Sequence, residues 1–411
     1  MMRRRPSSIL ALALLLATGL VLPAAAEDSG RSGAWEIVAP AGHQLSLPFS
    51  PGVRAGDFLY LSGALGNVPG TTEVPGGIAE QTRRTLDNLE AVLATAGLDL
   101  TRVVEARLYI ADIRWANEVL EVYRERMPEP RPAAVVVEAE IAIPAALAEI
   151  GFTAALPGVT REAVTPEGWP TADDRSAAIR AGDTVFLSGM ASDRRGHFDD
   201  PDSAADQVTR AMERMGEVLS AAGVSYQNVV SCNVYLAEPR DFAALNSTYP
   251  EFFAGAAAPA RATVRARLGQ PGQRVEVSCV AVDGERRAVL PEGATPRPVL
   301  SSSIQVGERL FLSGMVGRDA SGSFPKDIAL QTTAVLDNLE ATLTAAGLGF
   351  DDVVSATVFL DDIRHYGAMN AVYAERLGTP APARATVGTQ LMTPDAWVEI
   401  QMIARSVPAD E

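Results

Sequence analysis

The sequence predicts three tandem α+β domains of one kind, and a repeat with two markers carries that expectation. Near the start the chain reads Asp57-Phe-Leu-Tyr-Leu-Ser-Gly63, then Asp183-Thr-Val-Phe-Leu-Ser-Gly189, then Glu308-Arg-Leu-Phe-Leu-Ser-Gly314. The serines lie 188 − 62 = 126 and 313 − 188 = 125 residues apart. A second marker keeps the period: Leu89-Glu-Ala-Val-Leu-Ala-Thr-Ala-Gly-Leu98 returns as Leu339-Glu-Ala-Thr-Leu-Thr-Ala-Ala-Gly-Leu348, with Met215-Gly-Glu-Val-Leu-Ser-Ala-Ala-Gly-Val224 between them. Solenoid and propeller units are roughly 20–50 residues long, whereas this period is that of a whole domain.

Each copy opens with alternating apolar residues around Ser-Gly, the pattern of a half-buried strand. A helical stretch follows, with Ile78, Leu86, Leu89, Val92, Leu93 and Ala96 in the first copy and Ile328, Val335, Leu336, Leu339 and Leu343 in the third. Gly97 and Gly347 stand where a helix ends in the left-handed conformation. Next come a strand (Val103–Ile110, Val229–Leu236, Val353–Leu360) and a shorter helix carrying Tyr123, Tyr249 or Tyr373. Two strands close the unit, one after Arg131, Arg261 or Arg384 and one around Glu149, Glu276 or Glu399. The order β-α-β-α-β-β, preceded by a strand or hairpin, places helices on one face of a sheet. The bare faces of three copies then cover one another in a pseudo-threefold ring. Pro-rich joins at 157–170 and 291–298 separate domains expected over 35–157, 166–284 and 296–407.

Met1-Met-Arg-Arg-Arg-Pro6, the apolar run Ile9–Leu22 and Pro23-Ala-Ala-Ala26 have the anatomy of a secretory signal peptide over 1–26, cleaved after Ala26. The apolar run is shorter than the ~20 residues of a spanning helix, so no stable membrane anchor is expected. The mature protein is expected in the periplasm or secreted. Loss of three arginines takes the formal charge from −16 to −16 − 3 = −19. So acidic a chain repels phosphate backbones, which argues against nucleic acid as a partner. Cys232 and Cys279, the only cysteines, fit either a disulfide in an oxidising compartment or two buried thiols. His43, His197 and His365 fall at unmatched places and form no metal-ligand set, and neither a P-loop nor a dinucleotide fingerprint is present.

Pro259-Ala-Arg-Ala-Thr-Val264 and Pro382-Ala-Arg-Ala-Thr-Val387 each precede a glutamate by a fixed step, 276 − 261 = 15 and 399 − 384 = 15. An arginine fork suits a small organic acid, and a glutamate can position water and shuttle its proton. An ion pair stitching strands together fits the same spacing. The serines equally suit a strand end, and the helical tyrosines suit a core.

These features together make the chain resemble the Rid (YjgF) family of reactive-intermediate deaminases. The carriers are the Phe/Tyr-Leu-Ser-Gly strand, Leu86-Asp-Asn-Leu-Glu90 and Leu336-Asp-Asn-Leu-Glu340, the Ala-Gly helix end, Pro-Ala-Arg-Ala-Thr-Val, and Val275-Glu-Val277 and Val398-Glu-Ile400. The resemblance covers all three repeats. It implies chorismate-mutase-like domains, normally homotrimeric with clefts between subunits, here fused into an intramolecular pseudo-trimer. It also implies cofactor-free, metal-free hydrolysis of 2-imino or enamine acids, of the 2-aminoacrylate/2-iminopropanoate type, to 2-oxo acids and ammonia.

By the same resemblance Arg261 and Arg384 hold the substrate carboxylate and Glu276 and Glu399 orient water. Ser62, Ser188 and Ser313, with Asn246 and Asn370, complete the binding set. The first copy departs from the pattern. Its arginine is expected at Arg131 in Pro130-Arg-Pro132, 149 − 131 = 18 residues before Glu149, and Leu120 replaces the asparagine. The family's N-terminal aromatic survives only as Phe49, against Arg175 and Leu300 in the other copies. Specialised copies leaving one or two working clefts are therefore expected. Two other classes fit: an exported module that binds a small carboxylate without turnover, and an acidic holdase-like interaction protein.

Overall fold

The computed structural model describes residues 35–43, 47–170, 172–192 and 203–407. The segment expected as a signal peptide and its cleavage point lie outside these residues, as does His197.

Each repeat builds one mixed sheet in a single strand order. In the second repeat the order runs Ala260–Arg265, Val229–Leu236, Val275–Val282, Thr184–Leu187, Ala178–Ala181 and Arg161–Val164. The first two are parallel, because a short helix (Phe242–Thr248) crosses between them, and the remaining pairs are antiparallel. We call Ala133–Glu138, Ala260–Arg265 and Ala383–Gly388 the arginine strands. Ala148–Ala155, Val275–Val282 and Val398–Arg405 are the glutamate strands. In every repeat a central strand lies between the two (Val103–Ile110, Val229–Leu236, Val353–Leu360).

The long helices Ile78–Thr95, Ala204–Ala221 and Ile328–Ala345 cover one face of each sheet. Asp327 caps the third through the Leu330 N–H, and Ser203 and Asp206 form a reciprocal capping box on the second. Gly97, Gly223 and Gly347 follow the helices at φ of +72°, +75° and +75°, a conformation that costs a side chain dearly. Each helix also carries a buried glutamine. Gln81 accepts from Leu147 N–H, Gln207 from Arg274 N–H and Gln331 from Trp397 N–H, at 2.8, 2.9 and 2.8 Å. This clamps the turn that enters each glutamate strand. Tyr123, Tyr249 and Tyr373 are fully buried in the three helix–sheet cores.

The opposite sheet faces pack on one another. Tyr109, Tyr235 and Phe359 meet in one cluster, and Val104, Phe186 and Val354 belong to another, so each cluster draws on all three repeats. The three domains thus form an intramolecular pseudo-trimer. Its interior is not three-fold in charge. Glu105 and Arg107 pair at 2.9 Å, and Arg107 also donates to Thr357 Oγ1 at 3.2 Å. By strand register the other copies place Ser231 and Asn233, and Ser355 and Thr357, at the same points. Three identical subunits would bring like charges together there; the fused chain supplies one matched pair and neutral side chains. Cys232 and Cys279 face each other on adjacent antiparallel strands and form a disulfide, with Cα atoms 4.1 Å apart.

Candidate active site

Arginine and glutamate of one repeat do not share a pocket. Arg261 is registered with Cys232 on one side of the central strand and Glu276 with Tyr235 on the other, so a whole strand separates them. The spacing of fifteen residues places them on opposite edges of the domain. Each arginine meets the glutamate of the next repeat around the ring.

The cleft between the third and first repeats takes Arg384 and Asn370 from one wall and Glu149, Ser62 and Phe49 from the other. Arg384 Nη2 donates to Asn370 Oδ1 at 2.7 Å, while Nε and Nη1 are buried without a partner among the described residues. The guanidinium is sandwiched by aromatic rings, its Cζ lying 4.6 Å from the Tyr373 centroid and 5.2 Å from that of Phe49. Glu149 Oε1 accepts the Thr386 N–H at 3.1 Å. The cleft between the second and third repeats repeats this design. Arg261 Nη2 donates to Asn246 Oδ1 at 2.6 Å, Nε and Nη1 are again unpartnered, and Cζ sits 5.1 Å from the Tyr249 ring. Glu399 faces Arg261 from the third repeat. Leu300, just before the interdomain Ser301, stands where Phe49 precedes Ser50.

The serines hold these walls together. Ser62 Oγ accepts the Arg384 N–H and Ser313 Oγ the Arg261 N–H, both at 2.8 Å. The two hydroxyls donate to the Ser50 and Ser301 carbonyls, both at 2.6 Å. Each hydroxyl is thereby spent on backbone and positions the arginine. The glycine that follows has its own cause. A Cβ on Gly63, Gly189 or Gly314 would lie 2.0, 1.8 or 2.0 Å from the Oε1 of Glu149, Glu276 or Glu399. Ser-Gly repeats because the serine fixes one wall and the glycine makes room for the carboxyl.

The cleft between the first and second repeats departs from the other two and corrects the expectation for Arg131. Ser188 Oγ accepts the Ala134 N–H at 2.8 Å, and Ala134 pairs with Ala106 as Arg384 pairs with Ala356. Ala134 therefore holds the arginine position, and 149 − 134 = 15 shows that Glu149 is not displaced. Arg131 lies before the strand and binds Glu129 and the Arg124 carbonyl, at 2.5 and 3.0 Å. On the other wall Glu276 is present, accepting from Gln273 Nε2 at 2.9 Å. Beside it Arg175 enters from the position of Phe49, with Nη1 4.0 Å from Glu276 Oε1.

The model of the endoribonuclease L-PSP family matches three times, over residues 41–156, 170–283 and 294–406. The chain belongs to the endoribonuclease L-PSP family. Its relatives carry the Rid and RutC names. A RutC family protein of Pyrococcus horikoshii is 38% identical over 123 residues, 29% of this chain and 97% of that protein. A mouse protein named 2-iminobutanoate/2-iminopropanoate deaminase is 34% identical, over 26% of this chain and 81% of its own length. A solved YjgF-family protein of Neisseria meningitidis, 31% identical, covers 30% of this chain and 98% of its own at a TM-score of 0.27. Each relative thus corresponds to a single repeat of this L-PSP family member.

Electrostatics separates the two complete clefts. Burial pushes the Glu149 carboxyl up to about 8, although the Thr386 N–H and Arg384 pull it down. Burial likewise raises Glu399 to about 7 against the Thr263 N–H and Arg261. Both folded values exceed the unfolded one, so the folded chain holds protons that the unfolded chain has released. The stabilisation is complete below about pH 4.5 and is lost as pH rises through 7 and 8, at about 1.4 kcal/mol per pH unit for each group. Melting temperature should therefore fall between pH 5 and 8 in wild type and fall less steeply in Glu149→Gln/Glu399→Gln. An unchanged slope in that variant would contradict the assignment.

A cavity of about 800 Å³ lies away from the clefts at the hairpin turns. Its Arg309 binds Asp183 and its Arg405 binds Glu308, so those cations are already matched. Sequence reasoning missed Ala134, the buried glutamines and the ring contacts of Tyr373 and Tyr249 with the arginines. The glutamines alone left a signal, a Gln at matched places in all three long helices.

Proposed function

We propose that the two complete clefts hydrolyse 2-imino or enamine acids of the 2-aminoacrylate/2-iminopropanoate type to 2-oxo acids and ammonia. One observation carries the reading: a buried arginine with two unpartnered donors faces a glutamate whose carboxyl titrates near neutrality. Buried donors without partners are costly, and a substrate carboxylate supplies the missing acceptor. The fixed guanidinium orients the imine carbon toward the glutamate from the next repeat. The ionised carboxyl takes a proton from water as its oxygen bonds to C2 of the imine. That proton passes to the imine nitrogen to complete the carbinolamine. The carboxylate then carries the carbinolamine hydroxyl proton to the same nitrogen, so that ammonia leaves as the C2 carbonyl of the 2-oxo acid forms. A carboxyl near pKa 7–8 can perform both transfers at neutral pH. The mouse relative bears the name of this activity.

We further propose that the chain acts after export. The basic, apolar and Ala-rich order of its first 26 residues supports this, and a disulfide accords with an oxidising compartment.

The test generates 2-iminopropanoate with an amino-acid oxidase in the presence of semicarbazide and follows semicarbazone formation. Suppression by the mature chain supports the deaminase. If several imino acids give no suppression while 2-oxo acids still bind, the protein is instead a carboxylate-binding module.

A further inference from the structure

The cleft between the first and second repeats lacks the arginine and the asparagine, yet it contains a guanidinium. Arg175 reaches in from the opposite wall, its Nη1 donating to the Ala134 carbonyl at 3.2 Å. Tyr123, the counterpart of the tyrosines that pack on Arg261 and Arg384, feels Arg175 as the strongest of its charged neighbours, and its buried hydroxyl has no hydrogen-bond partner among the described residues. A carboxylate is already seated on this guanidinium. Asp174 Oδ2 accepts from Arg175 Nε at 3.0 Å and from Nη2 at 2.6 Å, and the Asp174 side chain is only 15% exposed. Asp174 also lies close enough to Glu276 to raise that carboxyl, which burial has already raised.

We infer that this third cleft is a carboxylate site rebuilt from the other wall and filled by the chain's own Asp174, which excludes free 2-oxo and 2-imino acids. The inference rests on the carboxylate-gripping role given to the buried arginines. Its parts correspond one for one: Arg175 supplies the cation, Glu276 the facing carboxyl, Ser188 the interdomain anchor and Asp174 the ligand. Burial opposes the ionised form of Asp174, but Arg175 outweighs it and holds the carboxyl below its ordinary value. The plug is therefore charged at neutral pH. A tethered carboxylate has a large advantage in effective concentration over a dissolved one, so a free acid finds only the small fraction of molecules in which Asp174 has swung away.

The experiment titrates 2-oxobutanoate into the mature chain by calorimetry, in a background where Arg261→Ala and Arg384→Ala silence the complete clefts. Adding Asp174→Ala to that background is expected to create one site per chain, with affinity raised at least about tenfold over the background. Adding Arg175→Met as well is expected to remove the site. Asp174→Asn, which preserves shape and hydrogen bonding, provides the same comparison should the alanine variant fold poorly. If neither Asp174 variant binds while circular dichroism reports an intact fold, the inference is overturned. Binding equal to that of the background overturns it too. Failure of the carboxylate-gripping role of Arg261 and Arg384 reads differently: wild type would bind no 2-oxobutanoate, while an Asp174 variant would still gain its one site.

Discussion

Replacing Arg261 and Arg384 together by alanine is expected to cut carboxylate affinity and imine hydrolysis by roughly 10³-fold, since each hydrogen bond to a charged group contributes about 1.5–3 kcal/mol. The single variants are expected to be unequal, and unequal in a pH-dependent way. At pH 7 a carboxyl titrating at about 7, as Glu399 does, is half ionised, whereas Glu149 at about 8 is ionised in about a tenth of molecules. Arg261→Ala, which disables the cleft of Glu399, should therefore cost more activity at pH 7 than Arg384→Ala. The gap should narrow at pH 8.5, where both carboxyls are largely ionised. Steady-state rates at the two pH values check this. Equal losses at pH 7 would mean that the clefts are functionally identical, against the difference between Phe49 and Leu300 in their walls.

Glu149→Gln combined with Glu399→Gln should behave differently. Glutamine keeps the size of the side chain and can still accept the Thr386 N–H, so the walls stay in place. Proton transfer is lost, and kcat should fall by roughly 10²–10⁴-fold with little change in the affinity for 2-oxobutanoate. A loss carried by KM instead would make the glutamates binding groups rather than proton carriers. Arginine and glutamate variants thus separate gripping from turnover within one cleft.

Much of this was legible in the sequence because duplication printed each feature more than once. Pro-Ala-Arg-Ala-Thr-Val and the glutamate fifteen residues later pointed to two of the three arginine positions and two glutamate strands, and the repeat order supplied the third strand around Glu149. What remained hidden was which wall faces which. Linear spacing locates residues on strands, but the partner of Arg384 is 237 residues from Thr386 in sequence, and only ring closure brings Glu149 to it. The first repeat misled for a local reason. Pro130-Arg-Pro132 mimics the arginine motif, while strand register assigns that place to Ala134, a residue with no side chain to announce it. Likewise Ser-Gly reads as a turn signal until the pressure of a carboxyl on the glycine Cα is visible.

Because every cleft is assembled from two unlike halves, decay in this chain follows interfaces rather than domains. The first repeat has lost its arginine-side half, yet its glutamate-side half, with Phe49, Ser62 and Glu149, serves an intact cleft. The second repeat is its mirror, with a sound half around Arg261 and an altered one at Asp174 and Arg175. The two altered halves face each other. Had they arisen in halves that do not meet, two clefts would have been spoiled. In a homotrimer any such change strikes three clefts at once. Covalent fusion lets one junction differ from the other two while its neighbours keep their arginine–glutamate design, and neither repeat is altered on both of its sides.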